Sequence, residues 1–248
     1  MNRREFALTP LAAATACSQP AQERSWPTRW DAAIIRTAIA SRGLRFDEDK
    51  QMIRVILGPE YRYHTKLREC QAHPTRDSLE YALYLLEDGA AASVERARKI
   101  LARVIGLQVT DPASKWYGIW GWYLQEPPDK MAPADWNWAD FNGSLLLLAE
   151  LRHGKVLGEE LRAQVREAIR HAAQSVKRRN VAMSYTNIAV KGTFVTLAAA
   201  ELLGDEELGA YARERIVRLG RVRLAIARVV AAGVLVMLEE EAAGGLVP

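Results

Sequence analysis

Over most of the chain, apolar residues recur at spacings of three and four, the period of helices with one buried face. Residues 31–42 place Ile34, Ile35, Ala38 and Ile39 on such a face, and Gly43 follows where a helix C-cap is expected. Residues 44–76 are ambiguous. Met52 to Leu57 suits either a strand or a helical turn, and Gly58-Pro59 interrupts it. Beyond them Asp77 or Ser78 is placed to cap a helix carrying Leu79, Ala82, Leu83, Leu85 and Leu86, ended by Asp88-Gly89. Ser93 would cap the next, with Ala97, Ile100, Leu101, Val104 and Ile105 on one face and Gly106 at its end. Further helices are expected over 139–153, closed by His153-Gly154, over 159–178, over about 186–203, and over about 206–219.

These helices alternate in character. Those at 139–153 and 186–203 are apolar nearly all round and should be buried. Those at 93–105, 159–178 and 206–219 are amphipathic and charged and should lie outside. Strict alternation across short glycine-centred turns predicts an all-α fold with inner and outer helices, a partial α/α toroid. An irregular helical bundle is the alternative.

Both ends depart from this pattern. Residues 1–25 begin with Arg3-Arg4 before Glu5 and Phe6, followed by a weakly apolar stretch from Leu11 to Ala16 and then Cys17. That is the layout of an export signal, and the paired arginines resemble the twin-arginine type. A periplasmic or secreted location is expected. Ala14-Thr15-Ala16-Cys17 resembles a lipoprotein cleavage box, so a lipid anchor at Cys17 is one outcome and release after Ala16 the other. Residues 26–219 make up the helical domain. From Gly220 to Pro248 the composition collapses almost entirely to Ala, Val, Leu, Gly, Arg and Glu, as expected of a frameshifted or truncated end or of a last helix. The run from Leu224 to Leu238 contains Arg228 and falls short of the about 20 residues that a membrane span requires.

Charge narrows the partners. Lys plus Arg is 34 and Asp plus Glu is 30, a net of +4, and the densest basic run is Lys177-Arg178-Arg179. That is too little concentrated positive charge to predict nucleic acid binding. Cys17 and Cys70 cannot build a disulfide framework. No phosphate-cradling glycine loop, dinucleotide fingerprint, nucleophile elbow or zinc-type His/Cys spacing is present. No metal or cofactor is therefore expected.

The chemistry concentrates between the helices. About thirty residues before position 139 lack a helical period, and loops of that length are functional or disordered. Residues 116–141 hold Trp116, Tyr117, Trp120, Trp122, Tyr123, Trp136, Trp138 and Phe141, interleaved with Glu126, Asp129, Asp135, Asn137 and Asp140. Flat aromatic faces pack against the C–H faces of sugar rings, and amides and carboxylates bind the hydroxyls between them. Trp120, Trp122, Trp136 and Trp138 are the candidate stacking residues, with Asn137 beside them. Glu126, Asp135 and Asp140 are the candidate acids and bases, since glycoside hydrolysis uses two carboxyl groups. At the start of the helix at 186–203, Tyr185 is a candidate acid or base and Asn187 a candidate substrate contact, as β-elimination would require. His64 and His73 are possible bases in the same sense. The competing structural readings are a packed aromatic cap and a helix cap at Ser184 or Thr186.

Together with the export signal and the alternating helices, the stretch from Trp116 to Asn142 and the later Tyr185-Thr186-Asn187 resemble the secreted α/α-toroid carbohydrate-active proteins of bacteria. That group includes polysaccharide lyases and several glycoside hydrolases. The resemblance covers about residues 78–219 and is one of architecture and composition. It implies a polysaccharide or oligosaccharide partner and a glycoside hydrolase or lyase activity. A complete toroid carries more helices than are read here, so an incomplete copy is also implied. A non-catalytic periplasmic protein that binds a glycan or a partner is the alternative.

Overall fold

The structure, a computed structural model, describes residues 30–219. The export signal and the atypical C-terminal segment read from the sequence lie outside the described residues. The fold is all-α, with two small antiparallel hairpins. Helix α1 spans Ala32–Gly43. The ambiguous stretch after it forms short strands: β1 (Phe46–Asp47) pairs with β2 (Met52–Ile53), and β3 (Val55–Leu57) pairs with β4 (Cys70–Ala72). The β-branched and apolar run is thus extended, and Met52 and Ile53 are fully buried.

Six helices follow: α2 (Thr75–Asp88), α3 (Ala91–Ile105), α4 (Asn137–Leu157), α5 (Glu159–Arg179), α6 (Thr186–Leu203) and α7 (Glu206–Arg218). They pair as hairpins, α2 with α3, α4 with α5 and α6 with α7. Helices α2, α4 and α6 pack side by side in one row, and α3, α5 and α7 pack in a second row behind them. The apolar helices occupy the first row and the amphipathic ones the second. A helix polar on one face can meet solvent, whereas one apolar all round must be covered.

Each hairpin returns through the second row, so the three first-row helices begin at the same end. Two contacts fix this: Trp138 Nε1 at the start of α4 donates to Thr75 Oγ1 at the start of α2, at 2.9 Å, and Asn137 Nδ2 donates to Tyr185 Oη, just before α6, at 3.3 Å.

Several helix ends differ from the sequence reading. Helix α2 starts at Thr75 behind Pro74, without a side-chain cap. Ser78 is committed elsewhere: its hydroxyl donates to the Pro74 carbonyl and accepts from the Ile53 amide. Ser93 lies inside α3 and donates to Asp88. Gly43 is the last residue of α1 rather than its cap. Neither Ser184 nor Thr186 caps α6 through a side-chain hydrogen bond. Helix α4 runs through His153-Gly154 to Leu157. A Cβ at Gly154 would lie 2.8 Å from Glu150 Oε2 and 3.1 Å from Arg162 Nε. That glycine allows close packing against α5 and does not end the helix.

Candidate functional site

Residues 106–136, between α3 and α4, carry neither helix nor ladder strand beyond isolated bridges, yet they are anchored along their length. Gln108 Nε2 donates to the carbonyls of Gly118 and Ala168, and Val109 and Gly118 exchange main-chain bonds with Ile119 and Val109. Tyr117 Oη and His171 Nδ1 are hydrogen-bonded at 2.7 Å; burial pushes the phenol pKa up and the imidazole pKa down, which favours the neutral form of each. Thr75 gathers the far half of the loop. Its amide donates to the Trp122 carbonyl, its hydroxyl donates to the Gly121 carbonyl, and it accepts from the Trp138 indole.

This anchoring divides the four candidate tryptophans. Trp120 is wholly enclosed, and its indole N–H donates to the Val104 carbonyl at 2.9 Å. It is a core residue with no face for a sugar. Trp122 and Trp138 stack on each other, centroids 4.4 Å apart and planes 20° apart, and are nearly buried. Trp136 is half-buried immediately before α4.

The stack continues outward in both directions. Tyr63 and His64 lie 5.2 and 5.3 Å from the Trp122 ring, and Phe141 lies 5.5 Å from Trp138. Tyr63 is 64% exposed, while His64 and Phe141 are half-buried. His64 Nδ1 meets the Pro133 carbonyl at 2.8 Å. A carbonyl can only accept, so Nδ1 carries the hydrogen and Nε2 of the neutral ring is left with its lone pair. Tyr63 and Phe141 extend the stack at its two ends, and neither was among the stacking candidates of the sequence reading. Their signal was spatial, since positions 63 and 141 are distant in the chain.

The candidate carboxylates are enclosed. Asp135 is 5% exposed; one oxygen accepts from the Trp122 indole at 3.2 Å and the other from the Asn137 amide at 2.9 Å. It holds the start of α4 against the stack. Glu126 is 3% exposed, and Oε1 accepts from the Lys66 amide at 2.8 Å. Its Oε2 has no hydrogen-bond partner among the described residues. Asp140 is 2% exposed and sits in the first turn of α4, where Gly192 lets α6 come close; a Cβ there would lie 2.6 Å from Asp140 Oδ1. Burial pushes its carboxyl up to about 7 against the pull of Arg179, Lys191 and Arg215. Asp140 therefore lies between the two rows rather than on an open face. The three carboxylates do not form a facing pair on the surface.

Above Asp140 the polar groups reach solvent. Arg179, the last residue of α5, donates to Asn137 Oδ1, and Asn137 Nδ2 donates to Tyr185 Oη. Tyr185 is 44% exposed, and Asn187 is exposed in the first turn of α6. Lys191 places its ammonium 4.3 Å from the Phe141 ring centre, and Arg76 of α2 lies 4.8 Å from the same ring. His73, by contrast, is buried and bonded to Asp47 and Gln125, a structural tie between β1 and the loop.

A cavity of about 650 Å³ lies elsewhere, where α2 and α4 end. Trp30, Ile35 and Arg36 line it with Leu86, Glu87, Asp88, Arg152 and His153. Glu87 Oε1 meets Arg152 Nε at 2.6 Å and His153 Nε2 at 3.0 Å. Burial opposes its charge, but those bonds outweigh it and hold the carboxylate at about 2.

Residues 46–217, from β1 to nearly the end of α7, match the model of a family described as a domain of unknown function, DUF8769. The chain belongs to the DUF8769 family. The match takes in both hairpins, the anchored loop, the aromatic stack and the Arg179–Asn137–Tyr185 chain, so all of these lie within the family's domain. No curated protein and no solved structure matches the chain. Among the described residues no helix is long and apolar enough to cross a membrane. Among the same residues no three His, Cys, Asp or Glu side chains converge.

Proposed function

We propose that this DUF8769 protein is an exported carbohydrate-active protein, and that the described domain holds a glycan at the end where α2, α4 and α6 begin. The observation that carries the reading is the unbroken series of rings from Tyr63 and His64 through Trp122 and Trp138 to Phe141, with Asn137, Tyr185 and Asn187 beside it. The rings follow one another about 5 Å apart, and the series is open at Tyr63, whose exposed face a pyranose ring can cover. The flanking amides and phenol offer hydrogen bonds to hydroxyls. The two rows of helices are what an arc of an α/α toroid would present, with the ligand at the ends of its inner helices.

The enclosure of Glu126, Asp135 and Asp140 favours recognition over two-carboxylate hydrolysis. Turnover at this face would fall to Tyr185 and to Nε2 of His64, which are the accessible acid–base groups. Titration of the full chain with a panel of neutral and acidic oligosaccharides, read by tryptophan fluorescence, tests the reading. A saturable change is expected, weakened at least tenfold in Tyr63→Ala and Phe141→Ala with the circular dichroism unchanged. No saturable response to any member of the panel from a folded chain would overturn it. Chromatography of the same mixtures separates binding from conversion.

A further inference from the structure

We propose that Arg215, on α7, positions Tyr185 for the ligand by fastening the connection between α5 and α6. The inference rests on the glycan reading and adds a residue that acts on the site from beneath it. The connection, residues 180–185, has no helix and is largely exposed, yet it ends in Tyr185, whose oxygen accepts from Asn137 at 3.3 Å. Asn180 closes α5 in the left-handed conformation, at φ 43°. Its side-chain oxygen accepts from Arg215 Nη1 at 2.8 Å and from Tyr211 Oη at 3.1 Å. Arg215 Nη2 donates to the Val181 carbonyl at 3.0 Å, and Nε donates to Thr193 Oγ1 of α6 at 3.4 Å. One planar fork thus bridges the end of α5, the connection and α6. From Val181 the tie runs on through the main chain. The Tyr185 amide donates to the Ala182 carbonyl at 3.0 Å, and the Ala189 amide donates to the Tyr185 carbonyl at 2.8 Å.

Arg215 is 2% exposed, and the oxygens it bonds to are neutral. Burying a guanidinium on neutral acceptors is a costly way to join helices, and an apolar side chain would serve packing better. The segment it holds accounts for it. An exposed connection without this tie would leave Tyr185 to be ordered by the ligand, at a cost to affinity that the fork removes in advance.

The test has two arms, both on the full chain. Hydrogen exchange without ligand is expected to run at least tenfold faster at the Tyr185 and Ala189 amides in Arg215→Lys, whose single ammonium cannot serve three oxygens, while the slowest amides of α4 are unchanged. Asn180→Gly keeps the left-handed turn and removes the shared acceptor, so it should do the same even where Arg215→Lys fails to fold. The second arm is calorimetric titration with a panel of cellohexaose, xylohexaose and trigalacturonic acid. Arg215→Lys should weaken whichever probe the wild type binds by about fivefold, add nothing in a Tyr185→Ala background, and keep its full effect in a Tyr63→Ala background. Unchanged exchange in the folded variants, or an equal added loss in the two backgrounds, would overturn the inference while leaving the glycan reading standing. A wild type that binds no member of the panel would overturn the glycan reading, and the exchange arm would still decide whether Arg215 holds Tyr185.

Discussion

The two ends of the first helix row handle buried charge in opposite ways. Where α2, α4 and α6 begin, Asp140 is sealed between the rows, one oxygen is without a hydrogen-bond partner among the described residues, and burial raises its carboxyl to about 7. Where α2 and α4 end, Glu87 faces a cavity, and its partners Arg152 and His153 hold it near 2. The far end is closed by short turns at Gly89, Gly158 and Gly204, all at positive φ. The near end is closed by a loop of some thirty residues with many buried anchors. One end spends its polar groups on stability, while the other keeps a destabilising carboxyl beneath three cations and open rings. Strain of that kind is tolerated where function needs it, which is why the near end is the better candidate site.

The sharpest break of this comparison is steric. Gly118 has φ +80°, and a Cβ there would lie 2.2 Å from the His171 carbonyl oxygen. Gly118→Ala should cost roughly 3 kcal/mol or more and release the first half of the loop from α5. Gly158, also at φ +80°, has open space around the same position. Gly158→Ala should cost about 1–2 kcal/mol from backbone conformation alone. Denaturant titration of the two variants measures the gap, and equal costs would mean that the loop is not held as described.

Next comes Asp140. Its folded pKa lies above the ordinary carboxylate value, so the folded chain holds a proton that the unfolded chain gives up. Stability should therefore fall as pH rises from about 4 to 7 and be level above, by roughly 2–4 kcal/mol across that window. Asp140→Asn should flatten the window and raise the melting temperature at pH 8. The groups facing Asp140 are Arg179 on α5, Lys191 on α6, and Arg215 and Tyr211 on α7. A variant less stable than wild type at pH 8 would show that their attraction outweighs burial.

The smallest effect belongs to Glu87, with the reverse sign. Its folded pKa is depressed, so its contribution is present above about 4.5 and is lost as pH falls toward 2. Glu87→Gln should lower stability at pH 7 by about 1 kcal/mol, since the site is partly open to solvent. It should also remove the acid-limb dependence. Melting curves between pH 2 and 5 read this directly.

Periodicity exposed the helices because each carries a long apolar stripe, and the rows followed from which stripes go all the way round. The helix at 159–178 and its neighbours at 186–203 and 206–219 were legible to within a residue or two. Start signals were less legible. Ser78 and Ser93 have the right chemistry for caps, but Ser78 is drawn to Pro74 and Ile53 and Ser93 to Asp88. The aromatic loop was visible as composition, yet composition cannot distinguish Trp120 in the core from Trp122 in the stack. That difference depends on the Val104 carbonyl and on Gly121, whose Cβ position lies 2.2 Å from the Glu126 carbonyl oxygen. Asp140 was legible as a carboxylate near a helix start, but its burial depends on Gly192, fifty-two positions later. Arg179 drew notice only as part of a basic run. Its contact with Asn137 arises because α5 ends where α4 begins.

Thr75 has a consequence for motion. Its amide and hydroxyl both bond to loop carbonyls, and its oxygen also receives the Trp138 indole. One residue at the start of a buried helix thus joins the loop to two first-row helices. Deuterium should enter the amide of Thr75 and those of the adjoining loop only when the first turn of α2 lets go, at a rate set by the core. A segment without regular secondary structure would then be among the slowest to exchange in the molecule, and the aromatic rings that it carries would meet a ligand already in place.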